Sequence, residues 1–146
     1  MPIKAPVRQF IVTSLIFLIG GLFLGLVMLD QLARGSSTYQ LVWAHVHMLL
    51  VGFMLSMIYG VGYQMLPSLL GGRLNSRRLP FLHLIFHIGG VTLMIIGVFL
   101  ARSKGSEAIY YNLSSLGGML VVIGGIFFVY SMATIKRPKS FFQIMN

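Results

Sequence analysis

Four apolar runs, each close to the ~20 residues that a spanning helix needs, divide this chain, and every lysine and arginine lies between or beyond them. The runs extend from Phe10 to Met28, Gln40 to Leu66, Phe81 to Ala101 and Tyr111 to Thr134. A charge inside a bilayer is expensive, and backbone groups there must find partners within their own segment. The pattern therefore predicts an all-α integral membrane protein, a bundle of four transmembrane helices with no β structure. Composition agrees, since only 9% of residues are charged against roughly 25% in soluble domains. The loops are short, so residues 1–146 read as a single four-helix transmembrane domain. The first run is too long for a signal peptide, and no small-x-small cleavage site precedes Asp30, so it reads as a retained anchor.

The net charge of +9 is placed to orient helices rather than to bind nucleic acid. Nucleic-acid binders gather such charge along one folded face. Here Lys4, Arg8, Arg73, Arg77, Arg78, Lys136, Arg137 and Lys139 fall on one side of a four-span chain, with no acid among them. Arg34, Arg102 and Lys104 fall on the other, with Asp30 and Glu107. The positive-inside rule makes the first side cytoplasmic, with both termini on it. The expected location is a bacterial or archaeal cytoplasmic (inner) membrane. Tyr39, Trp43, Tyr110 and Tyr111 are expected in the outer interfacial belt. The C-terminal KRPKSFFQIMN, basic and aromatic, is expected to rest on the lipid surface.

Glycines recur four or seven residues apart on the spans: Gly21 and Gly25, Gly90 and Gly97, Gly117 and Gly124, Gly118 and Gly125. Such stripes let helix backbones approach closely. They also leave room for an oligomer contact or a flat macrocycle. Met48, Met54 and Met57 share a helix with two histidines and read as packing residues.

All four histidines lie in or at the ends of spans. Intramembrane ionisable groups are functional candidates by default, and imidazole is a common metal ligand and a usual axial ligand of haem. His45 and His47 are two apart, so they point to nearly opposite faces of a helix and do not share one metal. His83 and His87 are four apart and share a face. That pair could hold a metal, or combine one ligand with one hydrogen-bonding partner. No carboxylate lies within a span to complete a zinc or di-iron site, and the absence of cysteine removes thiolate ligands and covalent haem attachment. Haem, which needs one or two axial ligands, suits this inventory. The bland alternative is that each histidine bonds a backbone carbonyl or a serine of another span. His47 and His87 differ in depth by roughly 13 Å at the rise of an α-helix. A single haem between these two residues of one chain is therefore disfavoured.

The second span resembles the second transmembrane helix of the large subunit of haem–copper oxidases and nitric oxide reductases. The residues that carry the likeness are His47, Gly60, Tyr63, Pro67, Gly71 and Pro80. Short four-span relatives carry a His-x-His pair followed by glycine, here His45, His47 and Gly52. The likeness covers roughly residues 43–90. It implies a haem b iron held by His47, with His45 as the alternative ligand. A metal role then falls to His47, His45 or His87, and His83 joins them as a cofactor contact. Haem propionates facing outward would meet Arg34, Arg102 or Lys104. The family's copper ligands have no counterpart here, so reduction of oxygen by this chain alone is not expected.

Three functions follow. The first is a membrane-bound b-type haem protein that transfers electrons or binds a diatomic gas, with a homo-oligomer supplying a second axial ligand. The second is a non-catalytic subunit or assembly factor of a larger respiratory complex. The third is a small metal or proton carrier.

Overall fold

The computed structural model describes residues 5–104 and 107–136. Among these the named elements are all helical: α1 (Ala5–Ala33), α2 (Tyr39–His47), a π-helical stretch (Met48–Leu55), α3 (Ser56–Leu69), α4 (Leu79–Lys104) and α5 (Glu107–Ala133). The second, third and fourth of these run on as one span, Tyr39–Leu69. Four helices are thus long and apolar enough to cross a membrane. The first three outrun their apolar runs at both ends, because a helix that stopped inside the apolar layer would strand unpaired N–H and C=O groups.

Two helix ends close in the same way. After α3, Gly72 N–H bonds the Pro67 carbonyl at 2.8 Å and Gly71 N–H bonds Ser68 at 3.1 Å. After α1, Ser36 N–H bonds Gln31 at 3.0 Å and Gly35 N–H bonds Leu32 at 3.0 Å. Both are Schellman caps, which need one left-handed residue. Gly71 (φ 65°) and Gly35 (φ 69°) supply it.

The helices form two antiparallel hairpins. One pairs α1 with the second span, the other pairs α4 with α5, and α4 joins them. The α4–α5 seam is as close as backbones allow. A Cβ added at Gly90 would lie 2.6 Å from the Gly117 carbonyl oxygen, and one at Gly117 would lie 2.5 Å from that of Gly90. A Cβ at Gly124 would come within 3.2 Å of His87 N. Gly118, on a different face of α5, has nothing within 4 Å of such a Cβ. Small residues therefore zip this hairpin, and only part of the glycine pattern serves it.

Apolar side chains cover the outer faces, among them Ile19 and Phe23 on α1 and Met119, Val122 and Val129 on α5. Lipid is as good a solvent for these as a core would be, so their exposure is the expected state of a spanning helix. The C-terminal KRPKSFFQIMN segment lies outside the described residues except for Lys136. Tyr39 and Tyr111 are exposed at the ends of their spans, and Tyr110 has no described side chain.

Candidate functional site

The histidines divide into two sets. His83 and His87 project from one face of α4 into the bundle interior, and both are fully buried. Their ring centroids are 5.7 Å apart. Phe10 from α1, Tyr59 and Tyr63 from α3, and Phe128 from α5 surround them. Phe10 lies 4.9 Å from His83, and Tyr59 meets His83 edge-on at 4.3 Å. Phe128 closes the far side at 5.9 Å from His83.

Polar contacts tie this pair to the second span. The Tyr63 hydroxyl lies 3.1 Å from His83 Nδ1. His87 Nε2 lies 3.2 Å from the Val51 carbonyl and 3.1 Å from Ser56 Oγ. A carbonyl only accepts, so the His87 proton resides on Nε2 and the lone pair on Nδ1. His87 Nδ1 and His83 Nε2 are buried without a hydrogen-bond partner. Val51 belongs to the π-helical stretch. Changes of winding of this kind recur at functional sites and re-aim the side chains around them.

His45 and His47 stand on the other side of that stretch. His45 leans on α1: its Nδ1 lies 2.8 Å from the Gly21 carbonyl. A Cβ at Gly25 would sit 2.9 Å from its Cε1, so the Gly21–Gly25 stripe is the slot for this ring. The His47 ring is held by its own helix. It stacks on Trp43 at 3.8 Å with the planes 22° apart, and its Nδ1 lies 2.8 Å from the Trp43 carbonyl. Each Nδ1 faces a carbonyl, so each carries the proton there and leaves its lone pair on Nε2. An axial imidazole needs this state: one nitrogen fixed by a hydrogen bond and the other presenting a lone pair. Both rings are half-buried. The donor chemistry at His45 and His47 therefore fits a haem iron, whereas the open lone pair of His87 faces a packed interior.

The two sets stay apart along the second span. His87 is level with Val51 and Ser56, at least a helical turn further along than His47, roughly 6 Å or more by helical rise. Three of the histidines bond a backbone carbonyl, and His87 also meets a serine, so the bland sequence reading describes real contacts. Of the outer cations, Arg34 forms a two-pronged pair with Asp30, both contacts at 3.0 Å. The side chains of Arg102 and Lys104 lie outside the described residues. Among the described residues no group of three or more metal-ligating side chains gathers.

Sequence reasoning missed Tyr59, Ser56 and the change of winding. Ser56, Tyr59 and Tyr63 recur at spacings of three and four, which puts them on one face, so that stripe was available as a signal.

A four-span, all-α membrane protein with imidazoles inside and at the end of its bundle is the class that these features define. The family model of cytochrome c and quinol oxidase polypeptide I matches residues 3–141. The chain belongs to that family, whose members bind haem cofactors. No curated protein matches the chain.

Proposed function

We propose that this chain is a membrane-bound b-type haem protein that transfers electrons, related to the low-spin haem part of oxidase subunit I. His47 is the proposed axial ligand and His45 the alternative. The observation that carries this reading is the His47 ring, stacked on Trp43 and tied through Nδ1 to its own helix, with the Nε2 lone pair left for a metal. A haem bound there would supply one-electron exchange. The protein's part is to fix the tautomer and plane of the imidazole, through the Trp43 carbonyl and ring.

His45 and His47 point to nearly opposite faces of their helix and His87 lies further along the span, so a second axial imidazole comes most simply from a second copy. A symmetric dimer would bring two His47 rings to the same depth. The termini then lie in the cytoplasm and the chain forms one domain of a bacterial or archaeal inner membrane.

Pyridine haemochrome analysis of purified protein tests this reading. Haem b at one per two chains supports the shared site. One per chain, with a five-coordinate spectrum, supports gas binding instead. Protein without any Soret absorption would move the reading to a non-catalytic subunit or to a metal or proton carrier.

A further inference from the structure

The basic end of the bundle holds a cavity of about 510 Å³ lined by Pro6, Arg73, Leu74, Ser76, Arg77, Pro80 and Phe81. It lies where the start of α1, the 70–78 loop and the start of α4 converge. We propose that it is a binding site for an anionic phospholipid, with the phosphate on Arg73, Arg77 and Ser76 and the glycerol and upper acyl chains on Phe81, Leu74 and the two prolines.

Charge balance is the first argument. The chain has two acids, Asp30 and Glu107, and both belong to the opposite ends of the helices. Asp30 is engaged by Arg34 at 3.0 Å. Among the described residues no aspartate or glutamate lies at this end to neutralise Arg73 and Arg77. The first turn of α4 adds the positive end of a helix dipole beside them.

Preorganisation is the second. Arg73 is held by a pair of backbone hydrogen bonds with Lys136, each 2.9 Å. Gly72 allows this closeness: a Cβ there would lie 2.4 Å from Ile135 Cγ2 and 2.7 Å from the Lys136 carbonyl oxygen. Ser76 Oγ accepts the Arg78 N–H at 3.2 Å, which leaves its own hydrogen to donate to an anion. A guanidinium fork and a hydroxyl on a fixed loop are the donors a phosphate needs.

The lining is the third. Four of the seven residues are apolar, and Phe81 is partly open to the surrounding lipid. A free phosphate gains nothing from such walls, whereas a lipid does. Basic pockets at the ends of transmembrane helices select anionic headgroups for this reason.

Native mass spectrometry of full-length protein, released from nanodiscs of mixed phosphatidylglycerol and phosphatidylcholine, tests the site. The wild-type chain should retain phosphatidylglycerol over phosphatidylcholine. Arg73→Gln with Arg77→Gln should lower that retention by about fivefold for each charge removed. Ser76→Ala, which keeps every charge, should lower it by a smaller factor. Arg8→Gln with Arg78→Gln removes two charges from the same end outside the cavity, and should retain the lipid. Helical circular dichroism of each variant confirms that the bundle persists. Equal loss in the two double variants would overturn the proposal in favour of diffuse attraction. So would displacement of the lipid by an equal concentration of inorganic phosphate, which would mark a phosphate site rather than a lipid site.

Discussion

His45 and His47 stand within one helical turn and carry the same chemistry to different neighbours. His45 is wedged against α1, where glycine at 25 makes its slot. Gly25→Leu should push that ring out and lower stability by roughly 1–3 kcal/mol, the usual effect of overpacking, as read by thermal unfolding in detergent. The haem spectrum should change little if His47 is the ligand, and should be lost if His45 is. Gly117→Ala tests the α4–α5 seam in the same way. Its Cβ would strike the Gly90 carbonyl, and backbone cannot swing aside like a side chain. A loss of about 1–3 kcal/mol is expected, while Gly118→Ala, which meets nothing, should be close to neutral. Equal effects at 117 and 118 would contradict the seam. His87→Leu leaves the Val51 carbonyl without its imidazole donor and should lower stability by roughly 1–3 kcal/mol.

The winding of the second span sets where its histidines face. One residue is about 100° of helical turn. Inserting one alanine between His47 and Met48 should rotate His45 and His47 by about that angle relative to α3. The helical signal should persist while haem binding is lost. Retained haem after the insertion would show that the turn of this span does not position the ligand. The spans themselves were legible from sequence, because charge is excluded from lipid and the polar residues at 4–8, 30–38, 73–78 and 102–107 mark the ends. The opposed faces of His45 and His47, and the shared face of His83 and His87, were legible from spacing alone. The π-helical stretch was not. MLLVGFML is uniformly apolar and carries no periodicity that distinguishes one winding from another. For the same reason the contact of His87 with Val51 was hidden, since it depends on how far the span has turned by that residue. Tyr59 was hidden differently: an aromatic residue on an apolar helix reads as packing until its neighbours are known.

The whole molecule is two helical hairpins joined through α4, with charge sorted to one end. That sorting implies an orientation, which cysteine labelling can check. Ser36→Cys and Ser76→Cys should react with an impermeant maleimide from opposite faces of the membrane, position 36 from outside. Labelling from the same face would contradict the four-span topology. Reduced-minus-oxidised optical spectra of three variants test the haem assignment. His47→Ala should abolish the low-spin Soret and α-band absorption of the wild-type protein, while His45→Ala and His87→Ala should retain it. A normal spectrum in His47→Ala, together with its loss in His87→Ala, would contradict the assignment and place the iron in the buried pair on α4.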